Sequence, residues 1–179
     1  MNLWHDLDDK LIKEDEFLVI NEVKGGSRLK YEVCKETGLL MLDRVLATAT
    51  RFPCNYGFIP KTLSEDGDPC DVFILMSEAI EPLCAIKCVP IGVIEMIDNG
   101  ERDEKIIAVP KHKKGLYRKQ LEDISQVNPD WLAELSHFLQ VYKGLDVAND
   151  VKVFEAKGKA EAKRIIKEAK ALYKSKFGE

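Results

Sequence analysis

Apolar and polar positions keep one rhythm up to about residue 110 and another beyond it. In the first part the apolar runs are short and bounded by turn residues, as strands are. Phe17 to Val23 is apolar-rich and ends at Gly25-Gly26. Lys30 to Cys34 alternates polar and apolar, and Thr37-Gly38 turns the chain into Leu39 to Val45, which predicts the second arm of a hairpin. Val72 to Leu75 and Ala85 to Ile97 follow, the latter interrupted by Pro90 and Gly92, and Lys105 to Val109 closes the strand-rich part. Beyond it the period lengthens. Trp131, Leu132, Leu135, Phe138 and Leu139 recur at helical spacing behind the cap signal Asn128-Pro129. Val151 to Phe154 predicts one last strand. Ala162, Ile165, Ile166, Ala169, Leu172 and Tyr173 then form an apolar stripe among lysines over Lys159 to Phe177. The pattern predicts an α+β protein: a twisted or barrelled antiparallel sheet with helices late in the chain.

The 179 residues suit a single domain over 1–179, with no repeat and no linker-like stretch. With 27 basic and 31 acidic side chains the formal net charge is −4, which opposes a dedicated nucleic-acid binder. No apolar run approaches the ~20 residues of a membrane span. The opening Met1-Asn2-Leu3-Trp4-His5-Asp6 carries no basic and apolar leader, and five cysteines without a CxxC pair read as reduced thiols, so a cytoplasmic location is expected.

The strongest local chemistry is Asp66-Gly67-Asp68-Pro69-Cys70-Asp71, running directly into an apolar strand. Three carboxylates so close raise one another's pKa, and a cation relieves the repulsion. Oxygen-only donors favour a hard divalent ion such as Mg²⁺ or Ca²⁺. The alternative is an acidic surface turn. An EF-hand is excluded, because counting from Asp66 places Asp71 at position 6 and Ser77 at position 12. A second acidic cluster, Asp98 to Lys105, occupies another turn, and Lys30, Arg44, Lys105 and Lys143 lie near these segments in sequence. Carboxylates for metal ions, interleaved with cations for oxyanions, are what phosphoryl transfer to water requires.

Over nearly its whole length the chain resembles the soluble family I inorganic pyrophosphatases of the short, prokaryotic type. The resemblance rests on DGDPCDVFIL (66–75), Lys30-Tyr31-Glu32, Asp43-Arg44-Val45, Pro53 to Pro60, Asp98 to Pro110, and His137-Phe138 with Tyr142-Lys143. It implies a distorted five-stranded OB-like β-barrel flanked by helices, including a C-terminal one, that hydrolyses pyrophosphate to two phosphates. It also implies several Mg²⁺ ions per active site, with Mn²⁺ or another divalent ion able to substitute, and a homohexamer built as a dimer of trimers. By the motif match Asp66, Asp71 and Asp103 hold activating metals, with Asp71 bridging two. Asp98 with Asp103 holds metal arriving with substrate, and Glu22 and Glu32 contribute further. Asp68 is the expected general base. Lys30, Arg44, Lys105, Tyr142 and Lys143 are expected to bind the phosphoryl groups, with Tyr56 adding a hydroxyl. Phe52 stands where many relatives have Tyr. Asn21 competes with Glu22 for its role, because the spacing to Lys30 varies in the family.

Other chemistry is set aside. A zinc site from Cys84, Cys88 and His112 lacks a fourth ligand, so the two cysteines are expected to be buried thiols. His137 is expected in the core or at a subunit contact, and Lys111 to Lys114 as a solvated loop. Cys54 and Cys70 lack a His partner for nucleophilic catalysis. An OB-like module for single-stranded nucleic acid would need a basic groove and stacking aromatics, yet aromatic content is 8%. A hydrolase of nucleotides would need a base pocket or Gly-rich loop, and neither motif is present.

Overall fold

The computed structural model describes residues 1–111, 121–145 and 150–178. The strands are β1 (Phe17–Val23), β2 (Leu29–Val33), β3 (Leu40–Val45), β4 (Asn55–Phe58), β5 (Asp71–Ile74), β6 (Ala85–Asp98), β7 (Glu101–Pro110), β8 (Val151–Val153) and β9 (Lys157–Gly158); the helices are α1 (Pro129–Val141) and α2 (Lys159–Phe177). Strands β1, β4, β5, β7 and β6 pair in that order, and β6 returns to β1, so five strands form a closed ring. With α1 and α2 flanking it, this is the expected α+β arrangement.

Alternation along the ring sends side chains to two apolar clusters. Ile107 of β7 joins Phe73, Ile94 and Met96 under Leu135, Phe138 and Leu139 of α1. Its neighbours Ile106 and Ala108 join Val72, Ile74 and Val93 against Ala162, Ile165, Ile166 and Ala169 of α2. Each large side chain so buried contributes roughly 1.5–3 kcal/mol of transfer free energy. α1 starts where its sequence says: Asn128 Oδ1 accepts the Asp130 N–H at 2.9 Å and Pro129 occupies the first turn. α2 ends at Gly178, whose φ of 78° suits a residue without Cβ.

Three features depart from the sequence pattern. The sheet is not wholly antiparallel, since β5 and β7 run parallel with Asp71 opposite Lys105. β6 runs unbroken through Pro90 and Gly92, which mark only a register shift against β7. β7 begins at Glu101 rather than Lys105, because Asn99-Gly100 forms a two-residue turn with φ of 50° and 87°. Cys84 is exposed and precedes β6, whereas Cys54, Cys70 and Cys88 are buried as thiols of that kind should be. His112 and the run to Lys114 lie outside the described residues. His137 is exposed beside Arg51 and Glu134, lining a surface cavity rather than sitting in the core.

β4 escaped the pattern because its four residues follow a Pro and include Gly57. That glycine is obligatory here. A Cβ at Gly57 would sit 1.9 Å from the Ile20 carbonyl oxygen on β1 and 2.8 Å from the carbonyl carbon. Backbone cannot give way as a side-chain tip can, so Gly57→Ala is expected to cost about 3 kcal/mol or more. A lower urea midpoint at unchanged slope reads this out. An unchanged midpoint would contradict the close β1–β4 approach.

Candidate active site

The acidic loop before β5 is folded by its own backbone. Asp66 Oδ1 accepts the Asp68 N–H at 2.9 Å, Ser64 donates its N–H to Asp68 O at 2.7 Å, and Gly67 takes a φ of 89°. The Asp68 carboxylate is left about half exposed at the loop tip. Asp71 opens β5 opposite Lys105, and the period of two along β7 puts Asp103 on the same face as Lys105. The Lys105 ammonium, 6% exposed, lies 2.8 Å from Asp103 Oδ1 and bonds Asp71 Oδ2. Burial opposes its charge, but Asp71 foremost, and Asp103, outweigh that and hold its pKa well above the ordinary lysine value. Burial pushes Asp103 and Asp66 upward, and the charge of Asp71 adds to both.

A bulge in β1 supplies the opposite wall. Its register against β4 shifts between Asn21 and Val23, leaving Glu22 as the unpaired residue. Asn21 turns away and donates its amide to Ile80 O and Glu81 O. Glu22, 6% exposed, accepts the Val33 N–H at 2.6 Å and lies within electrostatic reach of Asp71, Glu32 and Lys30. Of the two competing residues, therefore, Glu22 faces the acidic group. Desolvation dominates its titration and pushes its pKa up to about 8.

A second bulge orders the hairpin. β2 and β3 slip between Lys30 and Tyr31, so Asp43 has no partner of its own across the pair. Its carboxylate takes the Lys30 ammonium at 3.0 Å and the Arg44 Nε at 2.9 Å. Lys30 also bonds Glu32. Two hydrogen bonds, from Lys30 and Arg44, hold Asp43 below the usual carboxylate range against the opposing effect of partial burial.

The third side is made where α1 ends. Tyr142 caps the helix and stacks on Phe138 with centroids 4.9 Å apart, and Lys143 pairs with Asp98 at the end of β6. Phe52 is buried between these groups, 5.4 Å from the Tyr56 ring and 5.0 Å from Phe138. Its lack of a hydroxyl therefore costs no packing. Burial, then Asp71, raises the Tyr56 hydroxyl well above its normal pKa, which keeps it a protonated donor.

All the residues expected from sequence thus fall on one connected mouth. Two more belong with them. Asp43 lay inside a quoted motif, but its role depends on a bulge that no pattern reveals. Lys35, whose ammonium contacts Asp68, lies in a hairpin turn outside every quoted motif, so no sequence signal marks it. Across the mouth eight carboxylates meet five cations, so negative charge is in excess. Among the described residues no three His, Cys, Asp or Glu are poised around a common point for a metal. Instead the carboxylates are turned onto lysines. The donor set still fits hard divalent cations: it is all oxygen, over-supplied with charge, and partly desolvated.

A family model described as inorganic pyrophosphatase matches residues 19–174. The chain is 42% identical over 174 residues to soluble inorganic pyrophosphatase 2 of Chlamydomonas reinhardtii, covering 97% of this chain and 89% of that protein. An inorganic pyrophosphatase structure from Thermus thermophilus superposes with a TM-score of 0.90 at 32% identity, covering 97% and 99% of the two chains. One from Helicobacter pylori does so at 0.86 and 36%, covering 90% and 95%.

The Glu22 environment predicts a pH dependence. With a folded pKa near 8 against an ordinary 4.5, the folded protein binds more protons than the unfolded chain between those values. Stability of the chelator-treated protein should therefore fall as pH rises through that window, by on the order of 1 kcal/mol per unit at most. Glu22→Gln, which keeps a carbonyl for the Val33 N–H, should flatten that slope in urea titrations. An identical slope in the variant would contradict the assignment.

Proposed function

The chain belongs to the inorganic pyrophosphatase family, and on that premise we propose how its acidic mouth hydrolyses pyrophosphate to two orthophosphates. The observation that carries the reading is the buried Lys105 ammonium held between Asp71 and Asp103, with Asp66 beside them. Cations for phosphate and oxygens for metal are interleaved there at atomic range.

Asp66, Asp71 and Asp103 would hold activating Mg²⁺, with Asp71 shared. Asp98 with Asp103 would hold Mg²⁺ arriving with substrate, and Glu22 and Glu32 would support the first set. When bound, Mg²⁺ supplies charge neutralisation of the phosphoryl oxygens and a lower pKa for water. Mn²⁺ would serve the same oxygen donors.

The protein's own groups do the rest. Lys30, Arg44, Lys105, Lys143 and Tyr142 bind the two phosphoryl groups and oppose the negative charge that builds on the departing phosphate. The Tyr56 hydroxyl, kept protonated by burial, donates to a phosphoryl oxygen. Asp68 orients the attacking water and takes its proton; the new P–O bond forms as the bridging P–O bond breaks, and water plus pyrophosphate become two phosphates. Its position at the loop tip supports that role, since the carboxylate, though paired with Lys35, is about half exposed and meets solvent water. On family membership we also propose self-association as a dimer of trimers, and a cytoplasmic location. No helix among the described residues is long and apolar enough to cross a membrane.

Phosphate release from pyrophosphate is expected with Mg²⁺ and to vanish with EDTA. Asp68→Asn should lower kcat by about 100–10,000-fold, with a much smaller effect on KM. Full activity in EDTA, or an Asp68→Asn enzyme with wild-type kcat, would overturn the assignment.

A further inference from the structure

Lys35 is outside the groups assigned to phosphate, yet its ammonium contacts the Asp68 carboxylate. Both side chains are about half exposed, and such pairs usually contribute little. This one is held by built backbone geometry on both sides. Asn2 Nδ2 donates to Lys35 O at 2.7 Å, and the Gly38 N–H closes the hairpin tip onto Cys34 O at 2.7 Å. Two residues after Asn2, the buried Trp4 indole N–H donates to Thr62 O at 2.8 Å. Thr62 Oγ1 in turn accepts the Cys70 N–H at 2.9 Å, at the root of the acidic loop. One short N-terminal segment therefore fixes the lysine's backbone and the loop that carries Asp68. Trp4 is itself wedged against Tyr173 and Phe177 of α2.

Lys35 also lines the same small pocket as Glu22, Glu32 and Asp71, and its charge acts on Asp66. A fixed positive charge among carboxylates weakens the binding of any further cation to them. The long, flexible stem lets the ammonium swing into solvent once that cation arrives.

We propose that Lys35 is a built-in counter-cation for Asp68, which holds that carboxylate in the metal-free mouth and competes with the incoming divalent ion, so that it sets the concentration at which the site loads. The proposal rests on the reading that this mouth binds Mg²⁺.

The test is calorimetric titration of Mg²⁺ into the metal-stripped full chain, as wild type, Lys35→Gln, Lys35→Arg, Asp68→Asn and the Lys35→Gln/Asp68→Asn double variant. Lys35→Gln should bind Mg²⁺ about 3- to 10-fold more tightly at low ionic strength, and the gain should shrink in high salt. Lys35→Arg should match wild type. In the Asp68→Asn background Lys35→Gln should lose most of its effect. If wild type binds Mg²⁺ and Lys35→Gln binds no more tightly, the proposal falls while the metal reading stands. A gain that is indifferent to salt, or undiminished without the Asp68 charge, also overturns it. If wild type takes up no Mg²⁺, both fall together.

Discussion

One buried ammonium organises the mouth. Lys105 is almost fully enclosed, and a charge in that position is tolerated only when paired. Its partners are set by sheet geometry rather than by loop conformation. The parallel pairing of β5 with β7 places Asp71 opposite it, and the strand period places Asp103 two residues away on the same face. Those two carboxylates are in turn held close to Asp66, Tyr56 and Glu22, so the field at the centre of the site is fixed by backbone register.

The same logic extends outward through two bulges. Without the irregularity at Glu22, the strict alternation of β1 would send that side chain to the face of its neighbours two residues away. Without the one at Asp43, Lys30 and Arg44 would lose the carboxylate they share. The resting mouth is thus a set of lysine–carboxylate pairs with negative charge left over. On the proposed function such pairs would be exchanged: each carboxylate taken by a divalent cation would free a lysine for a phosphoryl oxygen, and each lysine taken by phosphate would free a carboxylate for metal. By reciprocity, metal and substrate would then favour one another's binding.

Much of this was legible in the sequence. Hydrophobic period gave α1 and α2 and the longer strands, because those elements bury a regular stripe. The family resemblance grouped Asp66, Asp68, Asp71, Asp103 and Lys105 in one site, whereas spacing alone joined only those within the loop or within the strand. What escaped was non-local. The parallel β5–β7 pair leaves no trace in either strand's own pattern. β4 is too short and too constrained by Gly57 to show a period. The choice of Glu22 over Asn21 depends on a bulge, and the link from Lys35 to Asp68 depends on an N-terminal segment that bridges two distant turns.

On the proposed function, lysine charge in the resting mouth stands where metal charge would stand in the loaded one. The Mg²⁺ dependence of the unfolding free energy in wild type and Lys105→Met tests it most directly. In EDTA the variant should be the less stable, since Asp71 and Asp103 lose their buried counter-charge, and added Mg²⁺ should close most of that gap. A gap of the same size with and without Mg²⁺ would contradict the claim, and would make Lys105 a packing element rather than a charge that metal can replace.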